Sequence, residues 1–345
     1  MARRSLNQRL ARLVQRDQTD AVIRLEDRAI QRALGNLDDD FTELVRRTLA
    51  AWTAAFGNAG GDATSDPALR RILAAVRAAV RRLLEPLGPQ AQRALEESLV
   101  DAVMLGASQH TAFVRDATGR STGTPLPRPR RPLRDAAARV RGIVADRRDR
   151  ALAMLRPTVA RRWSQVMTGI GTARGALSAV RSHITWVVGQ AVNEGLIAGI
   201  RAIGAQKLWV AERDACVRCA AYAGLVADVG DDFPGGLSWD PQQRGQGDPL
   251  PAPPLHPHCR CRVVAWRDEW AEPGVLPFPE ALRREARRSI ARGFSLPTES
   301  NAARIRAARE LLRRGANLPR SVEAYAATAV AAGRFTSRSV PTGRP

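Results

Sequence analysis

Apolar residues recur at helical spacing through the first 115 positions. Leu6, Leu10, Leu13, Ile23, Ile30 and Leu34 approximate one helical face, which Gly35-Asn36 interrupts. Asp38-Asp39-Asp40 suits a helix N-terminus, and Phe41, Leu44, Val45, Leu49, Trp52 and Phe56 form the stripe behind it. Asp66-Pro67 is a cap followed by a first-turn proline, leading into Ile72, Leu73, Val76, Val80 and Leu83 up to Pro86 and Gly88. A fourth helix is predicted from about Pro89 toward Phe113. A helical bundle follows, with these stripes as its core.

Residues 116–132 break the pattern. Gly119, Ser121, Gly123, Pro125, Pro127, Pro129 and Pro132 deny a continuous helix and read as a semi-rigid arm. Helix resumes after Pro132, and a long one is predicted from Ala173 to about Ile203, with Leu177, Val180, Ile184, Val188, Val192, Leu196 and Ile200 in phase and Gly204 ending it. Leu208-Trp209-Val210 and Arg262–Trp266 read as strands, separated by a loop too long for a hairpin. Two tail helices run over Pro279–Arg292 and Ser300–Arg314, a third follows Pro319, and Ser337–Pro345 reads as a frayed end. The fold class is therefore α+β and predominantly α-helical. An N-terminal helical region (1–115) and a Pro-rich basic linker (116–132) lead to basic helices (133–172). A small mixed module (173–270) and a basic helical tail (271–345) complete the chain.

Charge divides the chain differently. Its 54 basic and 34 acidic residues give a net charge of +20, and Lys207 is the only lysine. Residues 101–170 carry +9 (14 basic, 5 acidic) and 271–345 carry +8 (14 basic, 6 acidic), flanking a neutral block at 171–270 (10 of each). A cation of this size seeks a polyanion, and nucleic acid is the natural one. Arg128, Arg130, Arg131 and Arg134 of the arm and Arg283, Arg284, Arg287 and Arg288 of the tail are the candidate phosphate contacts. The alternative for such runs is a solvated helix face, partly neutralised by Asp135, Asp146 and Asp149. No run of about 18 apolar residues occurs, so no membrane contact is expected, and Met1–Asn7 lacks the apolar run of a secretory signal.

All four cysteines fall between positions 216 and 261, a clustering that points to one local site in a reducing compartment. Cys216-Val217-Arg218-Cys219 presents two thiolates to one metal, and His256 and Cys259 repeat the spacing. Six candidate ligands compete for four places: Cys216, Cys219, His256, His258, Cys259 and Cys261. The preferred set is Cys216, Cys219, His256 and Cys259, with Cys261 as the substitute, and zinc in a structural role is the expected cofactor. The loop from Ala220 to Pro253 is poor in apolar residues, so a metal would order it where core burial does not. Trp209, Trp239, Trp266 and Trp270 are expected to pack beside the site. No carboxylate is identifiable as a general base and no catalytic residue is assigned.

The segment 174–268 resembles the phage head-morphogenesis family, the minor head proteins similar to protein F of phage Mu. The resemblance rests on Asn193-Glu194-Gly195, Lys207-Leu208-Trp209, Asp214-Ala215-Cys216-Val217-Arg218-Cys219, Gly224 and Pro253-Pro254-Leu255-His256-Pro257-His258-Cys259-Arg260-Cys261, in that order. One departure is Trp186-Val187, where members commonly carry a Thr-Glu pair. The resemblance implies a minor capsid protein of the virion, inside the head near the portal vertex. Its implied partners are the portal protein, the major capsid or scaffolding protein and double-stranded DNA, contacted without sequence specificity. A nuclease stapled by zinc and a DNA-binding regulator are the competing expectations. The first needs a histidine base among the ligand candidates, and the second needs a basic zinc module, whereas 171–270 is neutral.

Overall fold

The computed structural model describes residues 5–57, 62–294 and 299–336. Helices α1 (Leu6–Arg12) and α2 (Thr19–Leu34) are joined by a π-helical turn (Leu13–Gln18). There follow α3 (Leu37–Phe56), α4 (Asp66–Leu84), α5 (Leu87–Thr118), α6 (Arg131–Ala138), α7 (Val140–Met154) and α8 (Trp163–Ala202). Strands β1 (Gln206–Val210), β2 (Val226–Ala227) and β3 (Arg262–Trp266) enclose the short α9 (Cys219–Tyr222), and α10 (Phe278–Ala291), α11 (Asn301–Arg313) and α12 (Arg320–Ala332) close the chain. This is the predominantly helical α+β fold that the pattern predicts. The frayed end expected at Ser337–Pro345, and Met1–Arg4, lie outside the described residues.

The departures have local causes. The π turn inserts an extra residue and rotates the stripe, so Val22, Leu25 and Ala29 are buried, whereas Ile23 and Ile30 are only half-buried. Helix α8 begins ten residues before Ala173. Gly169, Gly171 and Gly175 hide its periodicity, but the Gln165 carboxamide reaches back to accept from the Arg161 and Arg162 amides at 2.8 and 2.9 Å and so fixes the chain at the helix start. The Pro-rich linker is irregular only from Gly119 to Arg130, with Arg131 and Arg134 already on α6.

The chain forms two compact units, and neither matches the five consecutive segments expected. One comprises residues 1–23, 101–128 and 189–345; the other comprises 24–100 and 129–188. Composition cannot show this division, because α2, α5 and α8 each contribute residues to both. In the second unit Asp38 takes Arg181 at 2.5 Å and Arg174 at 3.2 Å, and these contacts, led by the Arg181 hydrogen bond, hold its carboxyl below the ordinary range. Trp186, on α8, lies beneath the Arg139 guanidinium, and His183 donates to the Ala136 carbonyl at 2.8 Å.

In the first unit the sheet order is β2-β1-β3, all antiparallel, with Leu208 opposite Val264 and Trp209 opposite Val263. Leu208, Val210, Val264 and Trp266 pack on one face with Leu10, Val14, Phe113, Phe278 and Leu282. Helix α8 packs closely on α5. A Cβ on Gly195 would lie 2.0 Å from the Val103 carbonyl oxygen, and one on Gly106 would lie 2.0 Å from that of Val192. Two glycines thus let the backbones touch.

Two stability predictions follow from this contact. Gly195→Ala should lose about 3 kcal/mol or more in urea denaturation, whereas Gly142→Ala, with open space at its Cβ, should gain up to about 1 kcal/mol. His110, packed against Gly199 and 1% exposed, has no hydrogen-bond partner for either ring nitrogen among the described residues, and burial pulls its pKa down to about 4. The folded state therefore holds it neutral. Its contribution is fully present above the unfolded value of 6.5 and is lost as pH falls toward 4, by up to about 3 kcal/mol. Urea titrations of wild type and His110→Phe across that window should show a loss larger in the wild type by up to about 3 kcal/mol.

Candidate metal centre

The centre is built where β1 and β3 deliver their chain ends. Beyond β1, the segment Ala211–Ala215 is held by the π turn and the start of α2. Gln15 donates to the Ala211 carbonyl at 2.8 Å, and Thr19 Oγ1 donates to Glu212 at 2.7 Å. Cys216 and Cys219 then close a knuckle, in which the Cys219 amide donates to Cys216 Sγ at 3.4 Å and the Ala220 amide to the Cys216 carbonyl at 2.9 Å. Glu299 accepts from the Val217 amide with both oxygens at 3.2 Å.

The second ligand run is tied to α8. Asn193 donates to the Cys261 carbonyl at 3.3 Å and accepts from the Val263 amide at 3.0 Å, so one buried carboxamide fixes the start of β3. Pro253-Pro254 is cis, and Pro254 packs beside Gly189. His258, with φ 62°, is exposed and stands outside the donor cluster; the remaining five candidates converge.

His256 Nε2 lies 3.2 Å from Cys216 Sγ and 3.2 Å from Cys219 Sγ, and Cys219 Sγ lies 3.5 Å from Cys259 Sγ. Cys216, Cys219 and His256 form one group able to hold a metal ion, and Cys219, Cys259 and Cys261 form another, with Cys219 common to both. A tetrahedron with about 2.3 Å metal–sulfur bonds has sulfur–sulfur edges of about 3.7 Å, close to the observed spacing. The His256 Nδ1–H donates to the Pro257 carbonyl at 2.8 Å, which leaves Nε2 as a lone pair facing the sulfurs. Without a cation the electrostatics favour a protonated imidazole beside a thiolate, a proton that a metal ion would displace. The Cys216 thiol is pulled down to about 4, first by its hydrogen bond with Cys219, and the same thiol pushes His256 up to about 9. Cys259 is also pulled down, whereas Cys219 and Cys261 are pushed up by their neighbours and by burial. Crowding keeps the sulfurs from ionising together, because each thiolate raises the cost of the next, and a dication removes that cost.

Comparison with family models, with curated proteins and with solved structures finds no match.

The loop between the ligand runs carries its own fasteners, contrary to the expectation that core burial could not order it. Lys207, buried at 2% exposure, donates from Nζ to the carbonyls of Asp231 at 2.6 Å and Pro251 at 2.9 Å, with Phe233 5.1 Å away. Trp209 stacks on Tyr222 at 4.7 Å and meets the edge of Phe233 at 5.1 Å. Asp240, fully buried, accepts from Arg306 at 2.8 and 2.7 Å. Of the tryptophans expected beside the site, Trp266 and Trp270 instead pack with α1, α5 and α10, and Trp239 lies under Arg314.

Sequence reasoning placed no carboxylate here. The structure puts Glu212 and Asp214 at an opening of about 170 Å³ beside the cysteines. Burial pushes Glu212 up to about 7, and it is engaged by Thr19 and, at 3.5 Å, by Arg262, which is itself buried and donates to Gln109 at 3.3 Å. The one signal for the Lys207 clamp was its type: a single lysine among arginines.

The candidate phosphate contacts separate. Arg128, Arg130, Arg131 and Arg134 are exposed, with Arg131 loosely paired to Asp135 at 3.7 Å. On α10, Arg283 donates to the Gly224 carbonyl at 2.9 Å, and both Arg283 and Arg287 pair with Glu280 at 3.4 and 3.6 Å. Arg284 and Arg288 point to solvent on another face. Gly224 is obligatory at this joint, since its φ is +76° and a Cβ would lie 2.2 Å from the Pro279 carbonyl oxygen.

Because Cys219 belongs to both donor groups, Cys219→Ser should weaken cobalt(II) binding and diminish the thiolate-to-metal absorption expected on titrating the wild type. An undiminished band in that variant would contradict the shared-ligand geometry.

Proposed function

We propose that the chain is a minor head protein of a tailed phage or phage-like particle, stapled by a structural zinc ion. The observation that carries this reading is the physical assembly of the resembling segments. The Cys216/Cys219 knuckle faces the His256–Cys261 run, Asn193 on α8 ties that run at the Cys261 carbonyl and the Val263 amide, and Lys207 on β1 clamps the loop between the two runs, whereas Gly195 packs on α5 and Gly224 on α10. Zinc suits a donor set of thiolates and one imidazole. Cys216, Cys219, His256 and Cys259 are its ligands, with Cys261 behind them. Four protein ligands leave no open position for substrate, which favours a structural over a catalytic ion.

In this reading the neutral metal module docks on portal or shell protein, and the exposed arm arginines Arg128, Arg130, Arg131 and Arg134 contact packaged duplex DNA through its phosphates. The Trp186-Val187 departure is accounted for by packing, with Val187 buried and Trp186 beneath Arg139. A hydrolytic reading would use the opening at Glu212, but that carboxylate is already committed to Thr19 and Arg262.

Quantitative mass spectrometry of purified particles from the source tests this function. The chain should be present at low stoichiometry relative to the shell protein in DNA-filled heads. Absence from all particles would sink the reading.

A further inference from the structure

Between α1 and α10 lies a groove of about 520 Å³, none of whose lining residues is a candidate metal ligand. Its apolar lining is the half-buried Ala11, Leu276 and Ala281, with the buried Phe278 and Leu282 beneath them. Its rim is cationic, formed by Arg12, Arg213, Arg284 and Arg288, with Glu285 as the single acid. Arg213 and Glu285 pair with each other at 3.1 Å, so that acid is accounted for. Arg12, Arg284 and Arg288 have no acidic partner among the described residues.

That separation is not typical of α10. On one face Arg283 and Arg287 share Glu280. One residue further on, Arg284 and Arg288 stand an i, i+4 step apart, so they lie together on the face that borders the groove. The neighbouring acid is Glu285, which Arg213 occupies. Three cations are therefore held, uncompensated, around a hydrophobic trough whose low-dielectric wall strengthens their field.

We propose that this groove is a docking site for an acidic, amphipathic peptide segment of a partner protein. The segment lays apolar side chains on Ala11, Leu276 and Ala281 and directs Asp or Glu toward Arg12, Arg284 and Arg288. Charge complementarity selects this occupant. A duplex backbone would satisfy the arginines but leave the apolar floor uncovered, because phosphate contacts bury no hydrocarbon. A purely apolar helix would cover the floor and strand three desolvated guanidinium groups. A peptide with apolar residues at i and i+4 and acids beside them meets both demands, as in helix-in-groove recognition. No groove residue is a candidate metal ligand or belongs to the arm, but Arg284 and Arg288 are among the tail arginines expected to contact phosphate, so the duplex comparison below separates the two occupants.

The test uses the full chain and a random 16-residue peptide library displayed on beads. The groove variant carries Arg12→Glu, Arg284→Glu and Arg288→Glu. The control variant carries Arg309→Glu, Arg320→Glu and Arg334→Glu, the same charge change on exposed sites elsewhere. Selected peptides should be rich in Asp and Glu with apolar residues at helical spacing, and should bind the groove variant at least tenfold more weakly than the control. Peptides without acids, or equal binding to both variants, would overturn the proposal. So would a 20-base-pair duplex that loses more affinity in the groove variant than the peptides do. Should charge reversal unfold the chain, Arg12→Gln, Arg284→Gln and Arg288→Gln carry the same comparison.

Discussion

Cys219 is the contact on which the surrounding architecture turns. Its sulfur belongs to both donor groups, lying 3.2 Å from the His256 imidazole and 3.5 Å from the Cys259 sulfur. Four thiols and an imidazole cannot be packed this tightly as independent titrating groups, because each ionisation raises the cost of the next. The fold nevertheless converges on them from three directions. Asn193 sets the start of β3, Gln15 and Thr19 set the exit from β1, and Glu299 caps the knuckle from the segment before α11. Supports of this kind hold ligands in place before a cation arrives.

The neutral charge of the block around the site has a structural explanation. Its acids are used internally: Asp240 by Arg306, Glu212 by Thr19 and Arg262, and Asp228 by Gln206. Lys207 is spent on backbone carbonyls rather than on a partner molecule. The basic excess of the chain lies outside the block, and the irregular arm and the groove beside α10 each present part of it. Those two surfaces differ in kind. The arm offers exposed guanidinium groups on a proline-restrained backbone, whereas the groove offers the same groups around an apolar floor.

Much of this was legible in the sequence. The stripe from Leu177 to Ile200 is wholly buried, both candidate strands pair in one sheet, and the Cys/His spacings bring five of the six candidate ligands together. These features depend on local periodicity or short spacing. What was not legible depends on distant partners. The π turn shifts the α2 stripe without any marker residue, and the two compact units interleave because long helices belong to both. Glu212 reads as an ordinary loop acid until Thr19 and Arg262, far from it along the chain, enclose it. Arg283, Arg284, Arg287 and Arg288 look equivalent as a run. Only the position of Glu280 and the Gly224 carbonyl divides them into anchors and solvent-facing groups.

X-ray absorption at the zinc edge of the purified full chain tests the central claim most directly. A shell of three sulfurs at about 2.3 Å and one nitrogen at about 2.0 Å is the predicted result. A shell dominated by oxygen, or a chain that retains no zinc, would contradict it.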